Sequence, residues 1–350
     1  MCRLPREAGT PGAAAARAVL TAQLQSFGYT VREQRFPFQP AALNAFPLLG
    51  AGLGWLTLLL LPLLAFPTVP SATALIVWLG GATALVLLAW GIGTGVHVAG
   101  AERREDANLI ATRGDAPVRR WIVAHLDTKA QGHSMAGRLV AVWVLVLAAL
   151  VISGATVWRA LRGPLPPTPL AALAGLSLAA GALAACGRLR GLSPGASDNT
   201  SGVVAALVAA EGGLGGHTGL LFTGAEEFGL VGARAFVADQ GSLTGTEIIN
   251  LDTLTDEGPL YVVAHNREGL ALARALAPAL AGVAPRIVVR HLPLGILTDS
   301  LPLARAGGRA VTLSRLDWGV LRRLHTPRDT VEALSLATAE AVGCRLAELR

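Results

Sequence analysis

The chain reads as a mixed α/β fold: a largely parallel central sheet with helices on both faces, interrupted by two transmembrane helical hairpins. Three observations predict this. From Val118 onward, short apolar strands alternate with helical segments, the pattern of parallel pairing through crossover helices. Between Arg35 and Glu102 there is no Asp, Glu, Lys or Arg. Only 15% of the 350 residues are charged and mean hydropathy is +0.52, too apolar for an ordinary soluble domain.

The elements follow in order. Ala13 to Phe27 has the spacing of an amphipathic helix, closed by Gly28, and Tyr29 to Phe36 alternates like a strand. Phe46 to Phe66 and Ala72 to Gly93 are apolar runs of about 20 residues, each long enough to cross ~30 Å of hydrocarbon. Pro67 and Pro70 mark the turn between them, and Trp55, Trp78 and Trp90 suit headgroup level. Val118 to Ala124 is a strand. Leu139 to Trp158 and Thr168 to Gly187 form a second apolar pair, separated by Arg159, Arg162 and a proline cluster. Beyond them come a small-residue helix (Ser201 to Ala210) and the strands Thr218 to Phe222, Glu247 to Leu251 and Leu260 to Val263. The helix Leu270 to Leu280, the strands Arg286 to His291 and Ala310 to Leu313, and a helix from Val331 to Leu349 complete the chain.

This organisation implies one discontinuous domain built from residues 1–45, 98–137 and 188–350. Residues 46–93 and 139–187 form the hairpins. A hairpin returns the chain to the side it left, so the three pieces can fold together.

The net charge of +6 comes from scattered arginines. No Lys/Arg tract interleaves with aromatics, which argues against nucleic acid as a partner and for the lipid bilayer with its anionic headgroups. Cys2, Cys186 and Cys344 form no CxxC motif, so neither a disulfide scaffold nor a cysteine zinc site is expected. Met1 to Pro11 lacks the apolar core of a signal peptide.

Five segments place metal-type ligands at the C-terminal ends of strands or in the loops that follow, where open α/β sheets carry their sites. They are Ala124-His125-Leu126-Asp127-Thr128, Ser197-Asp198-Asn199-Thr200-Ser201-Gly202, Ala225-Glu226-Glu227-Phe228-Gly229, Asn250-Leu251-Asp252 and His325-Thr326-Pro327-Arg328-Asp329-Thr330. His125 ends a strand, and Asp127, two residues on, is placed to orient its imidazole. Asp198 can present both oxygens and so bridge two ions. Adjacent acids at a strand end project differently, so one of Glu226 and Glu227 can hold a metal while the other takes a proton from water. Asp329 or Thr330 is expected to open the last helix. Two His, two Asp and one Glu with a spare Glu suit a pair of zinc ions.

In this order the segments resemble the co-catalytic dizinc aminopeptidases, metallopeptidase family twenty-eight, which includes bacterial leucyl aminopeptidases, aminopeptidase Y and glutamate carboxypeptidase-like enzymes. The start, Arg6-Glu7-Ala8-Gly9-Thr10-Pro11-Gly12, resembles the family's opening. The resemblance implies that Asp198 bridges two zincs, that Glu227 and His325 complete one, and that His125 and Asp252 complete the other. It also implies that Glu226 is the general base, that Asp127 orients His125, and that the Asp198–Asn199 peptide is cis. The expected function is then a membrane-embedded zinc exopeptidase, an aminopeptidase acting on peptide substrates. Alternatives are a glutaminyl cyclase-like acyltransferase on the same scaffold, or an inactive membrane-anchored binding or receptor protein.

The chain departs from the family at Thr298-Asp299-Ser300, where a histidine is often third, and neither Tyr29 nor Tyr261 matches the family's carbonyl-polarising tyrosine. His97, His133, His217, His265 and His291 read as structural or surface residues. Basic residues near the spans, Arg32, Arg35, Arg103, Arg104, Lys129, Arg138, Arg188 and Arg190, outnumber Arg159 and Arg162 on the opposite loops. The positive-inside rule therefore favours a multi-pass cell-membrane protein with a cytoplasmic catalytic domain.

Overall fold

The structure is a computed structural model, and it describes residues 3–93, 102–292 and 296–349. His97 lies outside the described residues. The chain divides into two units: Met1–Phe38, Arg103–Ala130 and Gly191–Arg350 make one, and Gln39–Glu102 and Gln131–Arg190 the other.

The first unit is built on eight strands: β1 (Thr30–Phe38), β2 (Arg104–Thr112), β3 (Arg120–His125), β4 (Thr218–Thr223), β5 (Glu247–Leu254), β6 (Leu260–Ala264), β7 (Ile287–His291) and β8 (Arg309–Arg315). They form one sheet in the order β1-β2-β4-β3-β5-β8-β6-β7. The centre, β4-β3-β5-β8, is parallel, as is β6-β7. β1-β2, β2-β4 and β6-β8 are antiparallel. The sheet is thus mixed and largely parallel, as the alternating segments predict.

Successive residues of the central strands serve opposite faces, as the pleat requires. Ile122, Leu220, Ile249 and Val311 join a core with Leu20, Leu24, Ala206, Leu276 and Val342, while Val123, Leu221, Ile248 and Ala310 join one with Phe236 and Leu303. Helices α1 (Pro11–Ser26), α6 (Ser201–Glu211), α8 (Arg267–Ala279) and α11 (Ala337–Glu348) supply the first layer, and α7 (Val231–Gln240) and α9 (Ser300–Arg305) the second. A short helix, α10 (Trp318–Leu321), precedes His325.

Strand β2, helices α7, α9 and α10 and the start of the last helix differ from the sequence expectation. Strand β2 has no alternating signature because two of its buried residues, Asp106 and Asn108, are polar and spent on internal bonds. The last helix starts at Ala337 rather than Val331, after a 3-10 turn at Val331–Ala333. Asp329 does not open a helix.

The second unit holds α2 (Ala41–Ala65), α3 (Thr73–Gly93), α4 (Met135–Arg162) and α5 (Pro167–Ala185). All four are long and apolar enough to cross a membrane. Helices α2 and α4 begin at Ala41 and Met135, earlier than the segments 46–93 and 139–187 read from the sequence. Small residues let α2 and α5 approach closely: a Cβ on Gly50 would stand 2.5 Å from Ala184 Cβ. Arg159, buried in α4, donates from Nε to Leu63 O and from Nη2 to Phe66 O and Val69 O, satisfying carbonyls at the end of α2 and just beyond it. His133 packs within this unit, its Nε2 close under Gly187.

Candidate metal centre

Four neighbouring parallel strands deliver their C-terminal ends to one edge of the sheet, and three of them bring ligand-type side chains there. His125 is the last residue of β3, Glu226 and Glu227 follow β4 by three and four positions, and Asp252 lies near the end of β5. Asp198 arrives from the turn before α6, and His325 from the turn after α10. A parallel sheet makes this convergence automatic, because all its strands end on the same side.

The five residues form two triads that share Asp198. His125, Asp198 and Asp252 make one; Asp198, Glu227 and His325 make the other. Asp198 lies between the imidazoles, Oδ1 3.0 Å from His125 Nε2 and Oδ2 3.1 Å from His325 Nε2. Asp252 Oδ1 is 3.9 Å from His125 Nε2. Glu227 Oε1 is 3.1 Å from His325 Nε2. Imidazole and carboxylate donors in this arrangement suit a divalent ion of zinc's character.

The charge balance points the same way. Asp127, Asp198, Glu226, Glu227, Asp252 and Asp299 gather against two imidazoles and the ammonium of Lys129. Burial works against the Asp198 charge, but hydrogen bonds from His125 and His325 outweigh it and hold that carboxyl well below the usual range. Burial likewise opposes charge on Glu227, and the fields of His325 and Lys129 bring it down to about 2. Burial, together with the field of Asp198, pushes Asp252 up to about 7. Burial is also the main reason Glu226 rises well above the carboxylate range, with Glu227, Asp299 and Asp252 adding to it against His125. Glu226 belongs to neither triad.

The site is held by a frame of bonds to main-chain groups, and here the sequence reading needs correction. His125 Nδ1 lies 3.1 Å from the backbone oxygen of Asp127 and 3.8 Å from its nearer carboxylate oxygen. The backbone carbonyl thus orients the imidazole. The Asp127 carboxylate instead accepts the backbone N–H groups of Glu226 (3.0 Å) and Glu227 (3.1 Å), so it aims the acidic pair. Asp329 accepts the N–H groups of Ser197 and Asp198, at 2.8 and 3.1 Å, and so clamps the Asp198 turn.

Several supports have no sequence signal beyond their polarity. Arg6 is buried and donates to three carbonyls: Nε to Leu126, Nη1 to Pro194 and Nη2 to Gly195. It ties the His125 loop to the Asp198 loop. Asn199 donates to Leu251 O and accepts from Thr253 N and Gly202 N, joining β5 to α6. Gly202 is required there, because a Cβ would come within 2.4 Å of both Leu251 O and Asn199 Oδ1. Asn108 of β2 accepts from Gly224 N, steadying the loop into Glu226. Thr223 donates to Asp299, which keeps that aspartate beneath the site.

The backbone is also unusual here. Ala225, Leu230, Thr253 and His325 are the non-glycine residues with positive φ among the described residues, and all four are in or beside ligand segments. Left-handed conformations cost a side-chain-bearing residue free energy and collect where geometry is imposed by function. The Asp198–Asn199 peptide is cis. Tyr29 is core, with Arg113 stacked over its ring, and Tyr261 lies on β6. His265 bonds to Ser300 and Thr298, and His217 to Pro117 O.

Residues 181–349 match the family model described as Peptidase family M28. The match takes in Asp198, Glu226, Glu227, Asp252 and His325, while His125 and Asp127 lie upstream of it on β3 and its loop. Solved structures share the fold of the M28 domain and its sheet. A leucine aminopeptidase precursor from Bacteroides thetaiotaomicron aligns with TM-score 0.55 at 14% identity, covering 99% of this chain and 90% of that one. BSAP, a zinc aminopeptidase from Bacillus subtilis, aligns with TM-score 0.55 at 14% identity over 98% and 90%. Porphyromonas gingivalis glutaminyl cyclase aligns with TM-score 0.55 at 16% identity over 98% and 91%. A comparison with curated proteins gives no match.

Proposed function

We propose that the protein is a membrane-embedded, zinc-dependent exopeptidase, an aminopeptidase, that holds two zinc ions in its two triads. The observation that carries this reading is Asp198, whose two oxygens sit between His125 and His325 while Asp252 and Glu227 complete the sets. When bound, zinc supplies a Lewis acid that polarises the scissile carbonyl and lowers the pKa of the attacking water.

The chain's own residues do the rest. His125, Asp198 and Asp252 would hold one ion, and Asp198, Glu227 and His325 the other. Glu226, a buried carboxyl outside both triads, takes the proton from the attacking water and passes it to the leaving amine. Asp127 keeps Glu226 and Glu227 aimed through their backbone N–H groups. The excess of carboxylates suits the charged amino terminus of a peptide. Glu226→Gln tests the assignment: zinc content stays and hydrolysis of aminoacyl-nitroanilides or dipeptides is lost. An active variant would refute the role of Glu226.

The fold shared with glutaminyl cyclase favours a second reading, cyclisation of N-terminal glutamine. One bound zinc with pyroglutamate as the product would select it. An inactive receptor is disfavoured by the full ligand set, and purified protein that takes up no zinc would revive it. The four apolar helices support insertion in the lipid bilayer, with a peptide as the substrate. The arginine distribution supports a cytoplasmic catalytic domain, and a topology reporter fused at the C-terminus decides it.

A further inference from the structure

The two triads differ in one respect that the ligand set does not anticipate. Lys129 is buried at 4% exposure, and its Nζ lies 2.5 Å from Glu227 Oε2. It also stands 3.5 Å from the backbone oxygen of Glu227. Among the described residues, neither Asp198 nor Asp252 pairs with a lysine or arginine; their charged neighbours are the imidazoles. One triad therefore carries a fixed cation on its glutamate and the other does not.

Two consequences follow from elementary electrostatics. The ammonium occupies Oε2 and leaves Oε1, on the His325 side, as the oxygen available to a metal. A buried positive charge next to a cation site also repels the incoming ion, and in a protein interior that repulsion is only partly screened. A lysine placed there for stability alone would be an expensive choice, since an apolar side chain of the same length could fill the space without desolvating a charge.

We propose that Lys129 makes the two zinc subsites unequal, holding Glu227 in a single-oxygen pose and weakening the Asp198–Glu227–His325 subsite relative to the His125–Asp198–Asp252 subsite. This rests on the two-zinc reading above. Lys129 is a positioning residue, and its consequence is that occupancy of the Glu227 subsite tracks the free zinc concentration while the Asp252 subsite stays filled.

The test is calorimetric titration of zinc into the metal-stripped full-length protein in detergent. Wild type shows a tight and a weak class of site, and Glu227→Gln removes the weak class and keeps the tight one. Lys129→Met tightens the weak class by about tenfold or more, since even a well-screened unit charge at contact range exceeds that. Lys129→Arg keeps the inequality. If Lys129→Met unfolds the protein by circular dichroism, Lys129→Gln carries the same expectation. Zinc binding by wild type with no tightening in the neutral variants, or with weakening, overturns the inference and leaves the metal centre standing. Wild type that takes up no zinc overturns both.

Discussion

The two units differ in what they expose. In the sheet unit large apolar side chains are inside, and the exposed ones are limited to Leu4, Val19, Leu192, Leu297 and Trp318 among the described residues. In the helical unit large apolar side chains lie on both sides. Leu60, Leu64, Trp78 and Ile152 are buried together with small or polar residues such as Ala148, Ser177, Ala180 and Arg159, while Trp55, Leu59, Ile76, Trp90, Leu150 and Leu161 face outward. Where the surroundings are water, burial of apolar area drives folding. In the helical unit, whose outer face is apolar, close packing of small residues and satisfied polar groups add to that term. The difference teaches that the same burial rule cannot be read across the whole chain, and that its polar groups must be judged by what they bond.

Four experiments break or sharpen this contrast, in order of expected effect. Asp198→Ala removes a ligand from both triads. Zinc binding should fall by at least ~10²-fold and peptidase activity below detection, measured by metal analysis and turnover; retention of both would dissolve the site. Glu226→Gln should cut kcat by about 10²–10⁴-fold with zinc content unchanged, so the polar edge of the sheet unit loses chemistry without losing structure.

Arg6→Met, which leaves Leu126 O and Pro194 O without their side-chain donor while Gly195 O keeps Thr200, should lower stability by about 2 kcal/mol or more, read from denaturation of the detergent-solubilised protein. An unchanged midpoint would mean that the two loops stand without the clamp. The smallest effects compare surfaces directly. Leu59→Arg, on the outward face of α2, should cost roughly 2.5–3.5 kcal/mol in membrane insertion, whereas Val19→Arg on the exposed face of α1 should change stability by less than about 0.5 kcal/mol. Equal tolerance at both positions, scored by carbonate extraction and thermal midpoint, would remove the case for a lipid-facing surface.

Local pattern explains why so much was legible. Strands β3, β4 and β5 are apolar runs that end in His125, Thr223 and the Asp252 segment, so periodicity finds both the strand and the ligand. Strand β2 and helix α7 escaped, the first because Asp106 and Asn108 are spent on internal bonds, the second because its apolar face is narrow. Asp127 and Asp329 were recognised as site-segment residues, but their partners are backbone N–H groups about 100 and 130 positions away, which no spacing rule encodes.

By itself the sequence determined the alternation of strands and helices, the long apolar helices, and the residue types that can hold a metal. Those properties depend on neighbours a few positions apart, where backbone geometry sets the period. Only the tertiary structure decided that Asp198 stands between two histidines, that Asp127 aims the Glu226–Glu227 pair, and that Arg6 and Lys129 are buried against the site. These are long-range pairings, and they exist because the sheet brings distant strand ends to one edge and excludes water from what meets there.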